Sequence, residues 1–340
     1  MDKNNNVREI IYINNMLSTP IYKQIIHSIQ RGISAGVLEN GDLIPSVNAI
    51  AAEYSIARGS IFKAYNELKS SGVIDSVPGK GYFITNTKSV GKKNIFLLMS
   101  TFNPYREVFF NAFVSKIKNH ATVDMYFHHH NIKVFETLIQ NHASHYNTFV
   151  IMPAMFKQTG KILQQLDQRN LYILDRGFNE FGSKYPSVCQ NYAKDIILYL
   201  KSIEDRLEKY KRVVLLFSSN MRTFDIITGF EKFFEQHPKQ GIVIRETEEF
   251  EPKEGDLCIA LDDSDLVHLI LTAKENNWVL GQHLGIISYN EIPMKSIVAE
   301  GITTISPDFE QMAASMADLI LNNKKDNIEN PYIIIERNSF

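Results

Sequence analysis

The sequence predicts an α/β protein with a winged helix-turn-helix at its N terminus and a two-lobed parallel α/β region after it. Three observations support this. Residues 43–83 combine two short amphipathic helical patterns with a glycine-tipped turn. From residue 94 onward, short apolar runs alternate with helical patterns. A length of 340 residues suggests about two domains, and a winged helix accounts for fewer than about a hundred of these residues.

Two helical patterns lie between residues 45 and 72. The first follows Pro45-Ser46, whose hydroxyl can cap a helix, and its apolar residues recur at helical spacing: Val47, Ile50, Ala51 and Tyr54. The second has an apolar face made of Ile61, Ala64, Tyr65 and Leu68. The residues near its N terminus that point away from this face are Arg58, Gly59, Ser60, Phe62 and Lys63. This is the arrangement of a recognition helix.

A hairpin is predicted after the second helix. Gly72 ends the helix, Val73-Ile74 begins a short strand, and Pro78-Gly79-Lys80-Gly81 forms a turn before Tyr82-Phe83-Ile84. A longer upstream helix, ending near Gly36, supports the other two through Ile21, Tyr22, Ile25, Ile26, Ile29 and Ile33. Residues 1–19 are mostly polar, and we expect a short strand or an extended arm at 10–13.

Together with Pro20–Ile25 and Gly41–Ser46, these motifs resemble the DNA-binding domain of the GntR family of bacterial transcription regulators over about residues 19–85. The resemblance implies that DNA is read from the start of the recognition helix, from the preceding Pro-Ser turn and from the wing. The residues implied are Ser46, Asn48, Arg58, Gly59, Ser60, Phe62, Lys63, Gly79, Lys80 and Gly81. Phe62 departs from the usual polar residue, so it either contacts a thymine methyl group or packs within the domain.

Charge and cysteine content indicate the cellular setting. Residues 1–93 carry 11 Lys and Arg against 7 Asp and Glu, whereas the remainder carries 25 against 31, so the basic end should meet phosphate. Cys189 and Cys258 lie in or beside apolar runs and predict buried thiols in a reducing cytoplasm. No apolar stretch approaches 18 residues and the start lacks a signal-peptide core, so we expect a cytoplasmic protein without a membrane partner.

The predicted domains are a DNA-binding domain at 1–85, a polar linker at 86–93, and an effector-binding and dimerisation domain at 94–340. Apolar runs predict strands at 95–99, 124–127, 149–152, 171–174, 213–217, 242–245, 257–261 and 285–288. Helical patterns lie near 106–119, 131–141, 160–169, 191–208, 222–236, 263–277 and 308–322. Such alternation predicts parallel sheets covered on both faces, in two lobes with a cleft between them, where ligands bind at the carboxyl ends of strands.

Several landmarks in this region resemble the LacI-type regulatory domain, which is similar to periplasmic sugar-binding proteins. They are Leu174-Asp175-Arg176, Val188–Tyr192, Gly229-Phe230, Ala260–Asp263, Leu284–Asn290, and Ile302–Ile305 before Asp308. A winged helix of the first kind joined to such a sensor resembles the arabinose-repressor subgroup of the GntR family.

The second resemblance implies a sugar ligand, with polar strand-end residues bonding its hydroxyls and aromatic side chains stacking on its ring. The residues implied are Phe102, Tyr105, Arg106, Asp175, Asp262, Asp263 and Asn290. A strand-end Asp is also a common helix N-cap, so both interpretations remain open. In the family, an arginine three residues before the Gly-Phe pair often binds a hydroxyl or carboxylate of the ligand, and here that position is Ile226. Isoleucine is consistent with a more apolar ligand face, such as the methyl group of a deoxysugar. Arg222, one helical turn earlier, could substitute for the arginine.

No catalytic residue, metal site or cofactor is predicted. His128, His129 and His130 would alternate faces on a strand and cannot all reach one ion. The predicted function is a ligand-responsive transcription regulator: a homodimeric repressor of carbohydrate-utilisation genes, released from operator DNA by a monosaccharide or its derivative. Two alternatives are a sugar-binding transport protein without DNA function and a GntR-linked aminotransferase fusion, which would need a pyridoxal-phosphate lysine in a longer C-terminal domain.

Overall fold

The structure, a computed structural model, describes residues 7–17, 19–34, 36–87, 93–181, 184–218 and 225–340. The chain forms two units. Unit 1 comprises Met1–Phe102, Val114–Ser187 and Met316–Asn327. Unit 2 comprises Asn103–Phe113, Val188–Ser315 and Ile328–Phe340.

The N-terminal part of unit 1 is a winged helix. Its elements are α1 (Val7–Ile10), α2 (Ile21–Ser34), α3 (Val47–Tyr54), α4 (Arg58–Ser70), β1 (Ile74–Val77) and β2 (Gly81–Ile84). The predicted apolar face of α2 is buried at Ile25, Ile26, Ile29 and Ile33, where it packs against the apolar faces of α3 and α4. The strand or arm expected at 10–13 is wrong at its start, because Ile10 ends helix α1; both Ile10 and Ile11 are buried in the same core.

Local signals fix the helix-turn-helix. The Ser46 hydroxyl accepts a hydrogen bond from the Ala49 N–H (3.1 Å) and caps α3, as predicted. Ser55 then ends α3 in a left-handed conformation (φ 52°), which turns the chain into α4. On α4 the four predicted core residues are all buried: Ile61, Ala64, Tyr65 and Leu68.

The wing is an antiparallel hairpin in which Val77 pairs with Gly81 and Ile74 with Ile84. Gly79 (φ 80°) and Gly81 (φ 99°) adopt the positive φ that the turn requires. The ring of Tyr82 packs edge-on against buried Tyr65 of α4, with centroids 4.7 Å apart. This contact fixes the wing relative to the recognition helix.

The α/β region from residue 93 contains the remaining elements. They are β3 (Lys93–Met99), α5 (Pro104–Ile117), β4 (Ala121–Phe127), α6 (Ile132–His142), β5 (Thr148–Ile151), α7 (Thr159–Leu163), β6 (Leu171–Asp175), α8 (Phe178–Phe181), β7 (Ser187–Cys189), α9 (Tyr192–Ser202), α10 (Glu204–Leu207), β8 (Arg212–Leu216), α11 (Asp225–Phe234), β9 (Gly241–Ile244), β10 (Asp256–Ala260), α12 (Asp263–Glu275), β11 (Gly285–Tyr289), β12 (Thr303–Pro307), α13 (Phe309–Leu321), β13 (Asn327–Glu329) and β14 (Tyr332–Ile335).

These strands form two six-stranded sheets with the orders β13-β7-β6-β5-β3-β4 and β14-β12-β11-β10-β8-β9. Neighbours within β6-β5-β3-β4 and within β12-β11-β10-β8-β9 are parallel, as predicted. The prediction of wholly parallel sheets is wrong at one edge, where β14 runs antiparallel to β12. The chain returns to this edge from the short β13 instead of through a crossover helix, so an antiparallel pairing is possible.

Both faces of the second sheet are covered. Val213 and Leu215 of β8 pack into one apolar cluster with α9 and α11, while Val214 and Leu216 pack into another with α12. This explains why its central strands appear in the sequence as continuous apolar runs. No helix within the described ranges is long and apolar enough to cross a membrane.

Several predicted elements differ in extent. The helix expected near 160–169 is only Thr159–Leu163, and the one near 191–208 is divided into α9 and α10. Residues 222–224 of another predicted helix lie outside the described residues, and α11 begins at Asp225. The histidines do not alternate on a strand, because β4 ends at Phe127 and His129 and His130 have positive φ in the following turn.

Candidate nucleic-acid interface and ligand site

The exposed face of α4 carries the predicted DNA-reading residues. Arg58 and Gly59 are exposed in its first turn, which contains no acidic residue. The N–H groups and helix dipole at this end favour a phosphate, while a guanidinium there can reach a base edge. Helix α4 can therefore present both phosphate and base contacts from one turn.

Two further side chains on α4 are placed by their surroundings. Phe62 is 46% exposed, which makes its ring available to a groove and leaves it outside the apolar core of the winged helix. The Lys63 ammonium lies 3.9 Å from the centroid of the Tyr22 ring on α2, a cation–π contact that orients it. Ser60 is partly buried.

The remaining predicted DNA contacts surround α4. The Ser46 hydroxyl is engaged as the cap of α3, but the residue remains exposed, as does Asn48. Lys80 is exposed at the wing tip between Gly79 and Gly81. Helix start, Pro-Ser turn and wing therefore all present polar groups to solvent from one small domain.

In unit 1, two predicted ligand contacts lie at the carboxyl end of one sheet. Asp175 is the last residue of β6, only 3% exposed, with a positive φ of 65°. Phe102 follows β3 and is 56% exposed, with its ring edge-on to that of Phe127 at 5.8 Å. Strand β5 separates β6 from β3, so the two residues end strands that are roughly 10 Å apart.

In unit 2, Tyr105 and Arg106 begin helix α5. The Tyr105 ring stacks on Phe309 with centroids 5.2 Å apart, just beyond the end of β12. Arg106 is 7% exposed, and its backbone N–H donates to the Asn103 side chain at 3.1 Å. The Tyr105 ring is therefore held against another aromatic ring at this position.

The two strand-end aspartates of unit 2 have different roles. Asp262 caps α12: its carboxylate accepts a hydrogen bond from the Ser264 N–H at 2.9 Å and another from the Ser264 hydroxyl. The N-cap interpretation of this residue is therefore confirmed. Asp263 instead pairs with Lys295, with 2.9 Å between Oδ1 and Nζ, while remaining largely exposed. Asp263 is consequently the more accessible of the two carboxylates.

Lys295 is a residue that sequence reasoning missed. It is 2% exposed, and its ammonium also donates to the backbone carbonyls of Tyr289 (2.9 Å) and Asn290 (2.8 Å). Burial lowers the pKa of Lys295, while Asp263 acts in the opposite direction. The lysine thus ties Asn290, which has a positive φ of 63°, to the start of α12. The pairing with Asp263 has no local signal in the sequence, because the two residues are about thirty positions apart, whereas the two carbonyl acceptors lie only six and five residues before the lysine.

A second ion pair supports the same strand ends. Arg337 donates two hydrogen bonds to the Glu291 carboxylate, at 2.7 and 3.1 Å, and the Thr304 hydroxyl donates a third. Burial alone would raise the pKa of Glu291, but the bonds from Arg337 and Thr304 hold it below its usual value. The residues that follow β11 are thus held by Lys295 at Asn290 and by Arg337 at Glu291.

Other predictions fall elsewhere. Arg222 lies outside the described residues. Ile226 is 1% exposed in the apolar core of unit 2, so it does not provide a ligand face and that expectation is wrong. His128 is buried, with Nε2 3.2 Å from the Met152 carbonyl oxygen, and no metal-binding group of side chains occurs within the described ranges.

Two of the surface cavities formed by described residues of unit 2 are lined by none of the predicted ligand residues. One of about 520 Å³ lies beside β9 and is lined by both Arg245 and Glu246. The other, of about 190 Å³, lies between α9, α10 and α11. Both cavities have lining residues of both charges, and neither contains the strand-end residues described above.

Comparison with known proteins identifies the two parts separately. Residues 21–84 match the model of bacterial regulatory proteins of the gntR family. The transcriptional repressor YtrA of Bacillus subtilis is 36% identical over 76 residues, which are 22% of this chain and 58% of YtrA. The chain thus covers less than two thirds of this relative's length.

The α/β region is similar in fold to solved LacI-type structures. A periplasmic binding protein/LacI transcriptional regulator from Alkaliphilus metalliredigens, complexed with D-xylulofuranose, matches 73% of this chain and 99% of its own at a TM-score of 0.59 and 12% identity. The lac repressor dimer bound to operator and an anti-inducer matches 73% of this chain and 94% of its own, at a TM-score of 0.60 and 14% identity. The chain therefore joins a GntR-type DNA-binding domain to an α/β region with the LacI and periplasmic-binding-protein fold.

Proposed function

We propose that this chain is a ligand-responsive transcription repressor that binds operator DNA as a homodimer and is released by a monosaccharide or its derivative. The observation that carries the proposal is the presence of a GntR-type winged helix and a LacI-type fold in one chain. The function needs no catalytic step, and its place is the cytoplasm, where the operator lies.

The DNA contacts are proposed from exposure and charge. Arg58 would bind a guanine through its planar guanidinium, and Phe62 would contact a thymine methyl. Lys63 and Lys80 would neutralise phosphates, with Lys80 placed by the wing at the minor groove. Ser46, Asn48 and Ser60 would add hydrogen bonds to the backbone.

The effector class is proposed from the strand ends. Asp175, Asp263 and Asn290 present carboxylate and amide groups at the carboxyl ends of parallel strands, where α/β sheets bind ligands. Phe102 offers an exposed aromatic ring suited to the apolar face of a sugar. Two proteins of similar fold support a carbohydrate ligand: the Alkaliphilus metalliredigens protein complexed with D-xylulofuranose, and a LacI family transcriptional regulator from Arthrobacter complexed with lactose.

The dimer is proposed to form through an apolar surface on unit 2. Val267 and Leu271 lie one turn apart on α12 and are each more than half exposed. Met294 and Ile297 flank Lys295, which contacts Asp263 at the start of the same helix. An exposed apolar patch of this kind typically marks a protein interface, and a two-fold operator requires a second copy of the chain.

The proposal can be tested by selecting duplexes from a random DNA pool with the purified chain. We expect the unsubstituted chain to enrich duplexes that contain an inverted repeat. Leu271→Glu should sediment as a monomer and bind the same repeat more weakly. Recovery of no preferred sequence would contradict the proposed function. An absorbance scan without a pyridoxal-phosphate band would separate it from the enzyme-fusion alternative.

A further inference from the structure

Helix α2 has two faces with different chemistry. Its isoleucines enter the core of the winged helix. Another face carries Lys23, His27 and Arg31, spaced four residues apart and therefore aligned along the helix. None of these three belongs to the residues proposed to read DNA, so the basic face needs another explanation.

Within unit 1, this face contacts loops of the α/β part. The Lys23 ammonium donates to the Ser144 carbonyl at 2.9 Å. The Arg31 guanidinium lies 3.8 Å from Asp167, whose own carboxylate is mostly buried. The basic face of α2 is thus in contact with two separate loops, one before β5 and one before β6.

Arg169 joins the same contact from the other side. Its guanidinium donates two hydrogen bonds to Asp167, at 2.9 and 3.0 Å, and lies 3.6 Å from the centroid of the Tyr12 ring. The Tyr12 N–H in turn donates to the Ser28 hydroxyl of α2 at 3.1 Å. Asp167 is therefore shared between Arg169 of the α/β part and Arg31 of the winged helix.

The charge balance of this contact is uneven. Among the described residues, one carboxylate, that of Asp167, faces Lys23, Arg31 and Arg169 around His27, and Lys325 is close enough to interact with the same charges. Burial, reinforced by the three cations and opposed by Asp167, lowers the pKa of His27 to about 4. The contact therefore needs an ionised Asp167 and a neutral His27.

We propose that the contact between α2 and the 167–170 loop is a releasable dock, which holds the winged helix on the α/β part while leaving α4 exposed. Removing the charge of Asp167, or adding one at His27, releases it. The dock is defined without reference to DNA or ligand. Its effect on operator binding, through fixing the position of the DNA-reading domain, rests on the proposed function.

The dock can be measured in the full chain with spin labels at two exposed positions, Ser70→Cys on the winged helix and Lys157→Cys on the α/β part. The native cysteines, Cys189 and Cys258, are buried. Labelled chains diluted with unlabelled ones give the distance distribution within one chain. A narrow distribution is expected at pH 7.5, and Asp167→Asn should broaden it, as should Arg31→Ala.

A matched control is Asp75→Asn, which removes an exposed carboxylate of the winged helix that pairs with Lys69 and should leave the distribution narrow. Circular dichroism excludes unfolding of the variants. An Asp167→Asn distribution as narrow as the parent's, or a parent distribution that is already broad, overturns the dock. Neither result would bear on whether the chain binds an operator.

The histidine is tested by pH. The pKa of His27 is about 4 in the dock and 6.5 when the histidine is released. The neutral imidazole therefore favours docking fully above pH 6.5, and this contribution is lost as the pH falls towards 4. Between pH 7.5 and 5.0 the docking constant should fall about thirty-fold. The parent distribution should therefore broaden at pH 5.0, while His27→Gln stays narrow. If the distance distributions of the parent and of His27→Gln are the same at pH 5.0, His27 does not control the dock.

Discussion

The exposed surface of α4 and the strand ends of the α/β region both carry polar groups, but their side chains are held differently. Arg58 and Phe62 on α4 are exposed to solvent. At the strand ends, Asp262 caps a helix and Asp263 is paired with a buried lysine. Asp175 is itself almost completely buried.

This difference separates two kinds of substitution. Changes on the exposed face of α4 should alter binding with little effect on stability, because surface side chains contribute little to folding. Changes at the strand ends should alter stability as well, since they leave buried groups without partners. Exposed positions on α4 can therefore be compared with buried or closely packed positions in unit 2, beginning with the substitution expected to cost most.

The largest loss of stability is expected at Gly229, a helical glycine in a closely packed part of unit 2. A Cβ at Gly229 of α11 would lie 2.6 Å from the Ile196 side chain and 2.8 Å from the Ala193 Cα of α9. Gly229→Ala should therefore lower the free energy of unfolding of unit 2 by about 3 kcal/mol. Urea titration followed by fluorescence of Trp278, the chain's sole tryptophan, reports on this unit.

The matched change is Gly59→Ala in the first turn of α4, where a Cβ meets nothing within 4 Å. Alanine should stabilise this helix by up to about 1 kcal/mol, because it has the higher helix propensity. Hydrogen exchange of α4 amides would show increased protection. Equal destabilisation by the two substitutions would show that the packing of α11 against α9 does not distinguish Gly229 from the exposed Gly59.

Lys295→Met should lower the free energy of unfolding of unit 2 by about 2 kcal/mol, because it leaves two buried carbonyls without their donor. The exposure of Asp263 limits the cost, since its carboxylate can be solvated. The control, Lys324→Met, breaks an exposed pair with Asp318 and should change nothing measurable. A similar urea midpoint for both variants would show that Lys295 does not support the strand ends.

Arg58→Ala should weaken operator binding by about 1–3 kcal/mol and relax sequence preference, because a bidentate guanine contact is lost. Lys80→Ala should instead reduce the salt dependence of binding with little change in preference. Fluorescence anisotropy at several salt concentrations measures both. Unchanged affinity and preference in the Arg58 variant would remove this residue from the interface.

The smallest effect concerns Asp195 of α9, which is 3% exposed and accepts a hydrogen bond from Gln190. Burial raises its pKa to about 6; the nearby Glu329 adds to this, while Gln190 and Lys194 oppose it. Because the folded pKa exceeds the unfolded one, its contribution is most favourable below the unfolded pKa and is lost as pH rises through 6.

Lowering the pH from 7 to 5 should therefore stabilise unit 2 of the parent by about 1 kcal/mol relative to Asp195→Asn. Urea titrations of both proteins at the two pH values, again followed by Trp278, give this difference. Parallel pH dependences in the two proteins would show that Asp195 titrates as it does in the unfolded chain.

The elements predicted correctly have local causes. Helix α3 was identified from the Ser46 cap and apolar spacing, and β10 from a run of apolar residues. Strand β12 was missed because Thr303, Thr304, Ser306 and Pro307 make it look polar, although all of its residues are buried. The polar side chains are accommodated by long-range bonds, such as that from the Thr303 hydroxyl to the Arg337 carbonyl.

The sites differ in the same way. The predicted DNA contacts on α4, from Arg58 to Lys63, follow one another along one helix, so their arrangement follows from helix geometry. Lys295, by contrast, acts through groups on α12 and at the end of β11, and the dock joins Arg31 to Asp167. Contacts between residues so distant in sequence depend on the packed fold, which no local pattern encodes.

If a sugar bound to the α/β region controls the winged helix, as we propose, the most direct test is operator affinity with and without sugar. Thermal-shift screening of monosaccharides and their phosphates would identify the probe, and anisotropy would then measure binding of the selected duplex. We expect the sugar to weaken operator binding by about 5–150-fold, and saturating operator to weaken sugar binding by the same factor. A sugar affinity that is identical with and without operator would contradict this expectation.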